Sequence, residues 1–245
     1  MIRNAFAAIA SVVMGAGVLF ATPVAAEETS DWEFSGNVAL TNNYIYRGYT
    51  QTNGDFAIQG GFDVAHSSGA YAGVWASNVD FGDGATNIEV DFYGGYAGDF
   101  GNSMFSYDVG FIYYAYPGGL KGDQADFVEF GGTLGADLGA VSLSAGIWWS
   151  PDFFGGIGDA IYVPIGIEVP IPAGDGPIGL SASANVGFNK YIDIDYSYIN
   201  WDIGLTVSIE DWFDIDLRYH DTDEPDIACQ NVCDARFVAS VSRSF

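Results

Sequence analysis

Basic residues are scarce in this sequence, which has 7 Lys and Arg against 32 Asp and Glu and a formal net charge of −25 at pH 7. Nucleic-acid binding is excluded, because it needs basic surfaces against the phosphates. The excess of acid does not indicate a disordered chain, since 49% of the residues are hydrophobic and 16% are aromatic. Disordered segments have few aromatic and β-branched residues.

Long apolar runs are missing after residue 26, because Gly, Asp, Glu or Ser interrupts each run before the ~20 residues that a spanning helix needs. The first 26 residues differ: Arg3 precedes an apolar stretch over 5–20, and small residues follow at Val24-Ala25-Ala26. This order is typical of a cleavable secretory signal, and Pro23 argues against an anchor helix. We predict a signal peptide at 1–26 and one domain over 27–245.

Cysteine is limited to Cys229 and Cys233. Two thiols with no histidine nearby except His220 make a poor zinc site. In an exported protein, two cysteines this close in sequence favour a small disulfide loop. We therefore expect a disulfide here, and neither a metal nor a cofactor.

Apolar residues alternate with polar or small ones throughout the remaining chain. A period of two indicates strands, because successive side chains point to opposite faces. Here one face suits hydrocarbon and the other suits water or a polar interior, as in a membrane barrel. The segments are 32–41, 55–65, 70–81, 87–97, 104–116, 125–136, 141–150, 161–171, 178–188, 199–209, 213–220 and 235–245.

These segments predict an all-β fold, a transmembrane antiparallel up-and-down barrel of about twelve strands, although ten or fourteen would also fit. The last strand ends on an aromatic residue, Phe245, which is typical of the strand that the outer-membrane assembly machinery recognises. Short links alternate with longer ones, as periplasmic turns alternate with extracellular loops. The short links are 66–69, 137–139 and 210–212, and the longer ones include 42–54, 150–159, 189–198 and 221–234.

Two motifs carry a resemblance to a known family. Tyr44-Ile-Tyr-Arg-Gly48 and Gly73-Val-Trp-Ala-Ser-Asn78 resemble the opening of the TorF family of porins, and Glu89-Val-Asp-Phe-Tyr-Gly-Gly-Tyr96 continues the likeness. Asn43 stands where the family pattern would have an acidic residue. The resemblance implies an outer-membrane location and a pore, and it supplies neither catalytic residues nor a known substrate.

The strand phasing turns mostly acidic side chains toward the barrel interior. Rings of Asp and Glu favour cations, so this face predicts a cation-preferring pore. The alternative is that the acids pair with Arg47, Arg218 or Arg236 and form a structural plug. The pore-lining candidates are Asp63, Glu89, Asp91, Asp108, Glu129, Glu168, Asp202, Asp214, Asp216 and Arg218.

Arg47 lies in the first long loop, among tyrosines. It could narrow the mouth or bind an anionic solute, but we favour an ion pair or a cation–π contact with those tyrosines.

The strand pattern and the export signal, with the pore that the family resemblance implies, favour an outer-membrane porin of a Gram-negative bacterium. Such a porin would pass small hydrophilic solutes or ions and would be surrounded by lipid and lipopolysaccharide. A plugged structural barrel is the alternative. A rim enzyme, with His220 and Asp221 as base and orienting acid, is a weaker one, because adjacency in sequence does not create catalytic geometry. We predict that the protein is not an enzyme.

Overall fold

The computed structural model describes residues 30–119, 125–174, 176–210, 212–224, 229 and 231–245. The predicted signal peptide, 1–26, lies outside these residues. No helix in the described part of the chain is both long enough and apolar enough to cross a membrane.

Twelve long strands form one closed barrel, and two short strands form a separate hairpin. In chain order the strands are β1 (Trp32–Thr41), β2 (Ile45–Tyr46), β3 (Tyr49–Thr50), β4 (Ala57–His66), β5 (Ala70–Asn78), β6 (Ile88–Asp99), β7 (Phe105–Ala115), β8 (Phe127–Asp137), β9 (Ser142–Ser150), β10 (Ala160–Pro170), β11 (Ile178–Tyr191), β12 (Tyr196–Ile209), β13 (Phe213–Thr222) and β14 (Arg236–Ser244).

Each barrel strand pairs antiparallel with its neighbours in the chain, and β1 closes the ring between β4 and β14. Closure matters because hydrocarbon offers no partner to an unpaired backbone N–H or C=O group. Every barrel strand here has a neighbour on both sides, so the sheet has no free edge. The prediction of an antiparallel barrel of about twelve strands is confirmed.

The β11–β12 connection differs from the prediction. The sequence predicts a long link over 189–198, but β11 continues to Tyr191 and β12 begins at Tyr196. Tyr191 and Tyr196 form the last pair of the ladder, and Lys190 binds Asp195 at 2.5 Å across the tight turn. Cross-strand pairs of this kind extend a hairpin beyond its hydrophobic pattern.

The two ends of the barrel are different. We call the end that carries Trp32 and Phe245 the turn end, because the connections after β4, β8 and β12 are only three or four residues long there. The opposite end, the loop end, carries the connections 42–56, 79–87, 116–126, 151–159 and 223–235. The expected alternation of short and long links therefore holds, with the β11–β12 turn as an exception.

The outward face of the wall is apolar and exposed. Phe62, for example, is 67% exposed near the middle of β4, while its chain neighbour Asp63 points to the other face. A soluble protein would have to cover such a surface, whereas lipid tails satisfy it. Other exposed outward side chains are Phe34, Leu40, Ile58, Phe92, Val109, Phe111, Phe130, Leu134, Ile147, Ile165, Val186, Ile203, Leu205, Leu217, Phe237 and Val241.

We predict that Phe62→Arg destabilises the barrel in lipid vesicles by about 2–4 kcal/mol, because it places a charge on the lipid face near mid-strand. Denaturant unfolding in vesicles measures the loss, and Phe62→Leu is the control with little expected change. An equal stability of the Arg and Leu variants would contradict a lipid-facing position for this side chain.

Candidate functional site

The first loop, residues 42–56, folds into the barrel. It contains the β2–β3 hairpin, whose turn is made by Arg47 and Gly48 at φ of 48° and 88°. A Cβ on Gly48 would lie 2.2 Å from Cγ2 of Thr222, so both the backbone conformation and the close approach require glycine. We call residues 42–56 the inserted loop.

Backbone hydrogen bonds attach the inserted loop to two other loops. The amide of Thr50 donates to the carbonyl of Val232 at 2.8 Å, and the amide of Asp80 donates to the carbonyl of Gln51 at 2.8 Å. Within the loop, Oδ1 of Asn43 accepts hydrogen bonds from the hydroxyls of Thr50 (2.5 Å) and Thr52 (3.2 Å). Asn43, the departure from the family pattern, thus organises the loop through its side-chain carbonyl.

Arg47 reaches the barrel wall from the tip of this loop. Its Nη2 lies 2.6 Å from Oε2 of Glu129 on β8, and the two side chains are only 4% and 1% exposed. The hydroxyl of Tyr114 donates to the same Glu129 oxygen at 3.1 Å. A buried carboxylate needs a charge partner and hydrogen bonds, and Glu129 has both.

Aromatic rings surround the guanidinium group of Arg47. Its carbon lies 3.9 Å from the ring centre of Tyr162, 4.7 Å from that of Tyr46 and 5.8 Å from that of Phe153. The Tyr162 ring packs against Gly187, where a Cβ would be only 2.4 Å from the ring. Arg47 therefore makes both contacts that the sequence favours, an ion pair and a cation–π contact.

Two further acids lie beside the inserted loop. Glu89 and Asp91 on β6 face the lumen at 1% and 0% exposure. The hydroxyl of Tyr44, in the inserted loop, donates a hydrogen bond to Oε1 of Glu89 at 3.1 Å. Oε2 of Glu89 and both carboxylate oxygens of Asp91 have no hydrogen-bond partner among the described residues.

The opposite wall carries a basic centre. Arg218 on β13 binds Asp202 at 2.5 Å and Asp216 at 2.9 Å, and it also donates to the hydroxyl of Ser183 at 2.8 Å. The guanidinium group of Arg218 lies against Gly204, where a Cβ would be only 2.8 Å from its central carbon. The absence of a side chain at Gly204 therefore gives the guanidinium group its space along the wall. Two acids therefore share one arginine on this side.

The turn-end half of the lumen retains acids without basic partners in the described structure. Asp63 accepts a hydrogen bond from Tyr93 at 2.5 Å, and Asp108 accepts one from Tyr71 at 2.8 Å. Glu168 is exposed and pairs across the sheet with Ser142 and Ser183.

The strand register places every pore-lining candidate from the sequence on the inner face, including Asp214, which lies opposite Ser208 and Ser242. They do not form one ring. Water reaches Glu168 and part of Asp63, whereas the inserted loop covers Glu89, Asp91 and Glu129.

His220 and Asp221, considered above as a catalytic base and its orienting acid, do not face each other. His220 is buried on the inner face, opposite Asp202 and Arg236 in the register. Asp221 follows it in an extended strand and so points to the outer face, where it accepts a hydrogen bond from Tyr219 at 3.3 Å. A base and its orienting acid must face each other, and these two do not.

Cys229 and Cys233 are joined by a disulfide in the last loop. Val232, inside that short ring, accepts the hydrogen bond from Thr50 of the inserted loop. The disulfide loop therefore contacts the inserted loop directly.

A cavity of about 350 Å³ opens at the loop end, next to the inserted loop. Aromatic side chains form most of its wall, and its polar lining consists of Thr50, Gln51, Asn53 and Asp80 together with tyrosine hydroxyls. The aromatic lining residues are Tyr46, Tyr49, Phe81, Tyr116, Phe127, Phe153, Phe154, Tyr191 and Tyr198.

The rim of this end is negatively charged. Hydrogen bonds from the Thr86 hydroxyl and from the amides of Ala85 and Thr86 lower the pKa of Asp83 below its usual value. The contact with Lys190 likewise lowers the pKa of Asp195. Both carboxylates are charged at neutral pH.

Residues 25–245 match the profile of a family described as "Bacterial protein of unknown function (Gcw_chp)". The chain belongs to this family. A comparison with curated protein sequences finds no significant match.

Solved structures share the fold at low sequence identity. The KdgM porin in complex with disordered oligogalacturonate has a TM-score of 0.56 at 10% identity, with 86% of this chain and 98% of that chain covered. The NanC porin has a TM-score of 0.51 at 9% identity, with the same 86% of this chain and 98% of that chain covered. At such identities the likeness concerns the barrel fold.

The described residues contain no group of three or more His, Cys, Asp or Glu side chains arranged to hold a metal ion. The aromatic cavity could not be predicted from the sequence, because its walls come from loops that are distant from one another in the chain. Its one sequence feature is the number of tyrosines near strand ends, which does not show that the rings meet.

We predict that Arg47→Gln and Glu129→Gln each destabilise the folded barrel by about 3–5 kcal/mol, because each substitution leaves a buried partner unpaired. The double variant should lose less unfolding free energy than the two single variants lose together, and denaturant unfolding in vesicles measures all three.

The matched control is the Lys190–Asp195 pair at the barrel rim, whose removal should leave the stability almost unchanged because solvent screens the fully exposed Asp195. Additive losses for Arg47 and Glu129 would contradict a direct pair between them.

Proposed function

We propose that this protein is an outer-membrane porin that passes small hydrophilic solutes or ions and prefers cations, with the inserted loop as its constriction. The observation that supports this most directly is the hydrophilic, mainly acidic inner face beside a loop held in the lumen by polar contacts. A barrel of twelve strands is narrower than the 16–18 strands that leave a wide channel, so one loop is enough to control passage.

The charge distribution supports the cation preference. Among the described residues, Asp63, Asp108 and Glu168 face the lumen without a basic partner. An unneutralised acidic wall lowers the energy of a cation and raises that of an anion.

The fold of KdgM and NanC, both described as porins, and the resemblance to the TorF family support the same function. The proposal includes export with cleavage after Ala26, insertion by the barrel assembly machinery through the strand ending at Phe245, and an outer leaflet of lipopolysaccharide.

A plugged structural barrel is the second candidate, favoured by the burial of the Arg47–Glu129 pair. Planar-bilayer conductance of the refolded mature chain under a salt gradient separates the two. Current steps with a cation-selective reversal potential are expected. A folded chain that inserts into the bilayer but carries no current would exclude the porin.

We predict that the double variant Asp63→Asn, Asp108→Asn reduces the cation-to-anion permeability ratio about two- to fivefold. One unit charge about 6 Å from an ion in water is worth about 0.7 kcal/mol, or about threefold, and screening by salt keeps the combined effect of the two charges near this size. Asparagine still accepts the tyrosine hydrogen bonds, so the fold should persist.

Glu210→Gln, in the exposed turn after β12, is the control that removes an acid away from the lumen. Equal permeability ratios for the double variant and the wild type would show that these acids do not act on the permeating ion.

We also predict that Gly48→Ala raises the single-channel conductance, because the added methyl group clashes with Thr222 and displaces the inserted loop from the wall. Single-channel recording measures the change. Gly84→Ala is the matched control, since it also has a positive φ in a loop but its added methyl group meets no neighbour. A larger increase for the control would contradict the role of the inserted loop as the constriction.

A further inference from the structure

The aromatic cavity at the loop end is separate from the acids Asp63, Asp108 and Glu168, and the inserted loop forms part of its wall. Its volume of about 350 Å³ is at the lower end of the range for small-molecule sites. Its walls come from the inserted loop, from the loops around Phe81, Tyr116 and Phe154, and from the strand ends at Tyr191 and Tyr198. These segments lie far apart in the sequence and converge on one small space.

The rings of this cluster already bind one cation. Tyr46 and Phe153 line the cavity, and both also lie within 6 Å of the guanidinium carbon of Arg47. The face of an aromatic ring carries negative charge density, so it attracts a cation that has lost part of its hydration. The charge of Arg47 itself is balanced by Glu129 at 2.6 Å and does not oppose a second cation strongly.

The charged groups around the cavity have the sign that a cation requires. Its described lining includes one carboxylate, Asp80, and neither lysine nor arginine. Glu224, which accepts a hydrogen bond from the hydroxyl of Tyr196, adds a second carboxylate at the loop end.

The polar lining is less suited to a neutral polyol. The side-chain amide of Gln51 donates to the carbonyl of Tyr49 at 3.0 Å, and the hydroxyl of Thr50 donates to Asn43 and accepts from the amide of Gly54. These groups are already engaged, whereas a sugar needs free donors and acceptors directed at its hydroxyls.

We propose that this cavity binds a small organic cation whose charge is spread over methyl groups, a quaternary ammonium compound, held against the faces of Tyr49, Tyr198 and neighbouring rings with Asp80 nearby. Such cations lose little hydration on entering an aromatic cage, unlike Na⁺ or a primary ammonium group. Passage of this cation through the barrel rests on the proposed function. Binding of the cation in the cavity does not depend on it.

Isothermal titration calorimetry of the refolded full chain in detergent tests the proposal, with choline as the probe and its uncharged isostere 3,3-dimethylbutan-1-ol as the comparison. Choline should bind saturably and at least tenfold more tightly than the isostere. Equal affinities would overturn the proposal, since they would show that only apolar contact matters. Maltose binding without choline binding would overturn it in favour of a carbohydrate site.

Variants test the contribution of single groups. Tyr49→Leu should weaken choline binding about fivefold or more, Tyr49→Phe should retain most of it, and Asp80→Asn should weaken it several-fold. Tyr96→Leu, on the outer face of β6, is the matched control and should leave binding unchanged. An equal loss with Phe and Leu at Tyr49 would contradict a role for the ring face.

The two proposals can fail separately. A chain that conducts ions but does not bind choline would overturn the cation cage and leave the porin intact. A chain that binds choline but carries no current would overturn the porin and leave the cage.

Discussion

Closure of the strand ladder is the constraint from which the other features follow. Inside a bilayer, each backbone N–H and C=O group must find a partner in the protein, and a closed ring gives each of the twelve strands a neighbour on both sides. Once the ring is closed, the alternation of side chains separates an apolar outer surface from a polar interior. The interior must then accommodate many acids with few bases, which is the second constraint on this molecule.

The protein meets that second constraint unevenly. Arg218 neutralises two acids on the wall formed by β12 and β13, and Arg47 is brought from a loop to neutralise Glu129 on β8. Tyrosine hydroxyls, rather than bases, bind Asp63 and Asp108. A hydroxyl donor adds no positive charge of its own, and its hydrogen bond holds each acid in a fixed orientation.

Much of the barrel could be predicted from the sequence because strand periodicity is a local property. The alternation predicts an inward position for residues as far apart as Asp63 and Asp216, because a one-residue shift would turn a charge toward lipid, and the strand register places both on the inner face. The inserted loop could not be predicted. Arg47 and Glu129 are 82 residues apart, and their contact depends on the positive φ values of Arg47 and Gly48 and on anchors in two other loops.

The aromatic cavity and the β11–β12 hairpin illustrate the same limit. By sequence, each ring of the cavity belongs to an ordinary loop or strand end, and only the closed barrel brings these segments together. The extension of β11 to Tyr191 depends on a partner, Tyr196, whose position is fixed by a tight turn rather than by hydrophobic pattern. In both cases the information lies in tertiary contacts.

Gly187 and Gly73 show how the width of the lumen is set. Each lies against a tyrosine ring, Tyr162 and Tyr93 respectively, which occupies the space that a Cβ would need. A single methyl group at either position would tilt the ring toward the barrel axis. The shape of the barrel interior therefore depends on two residues that have no side chain, and an alanine at either position would redistribute the space around the nearby tyrosine while leaving every charged group in place.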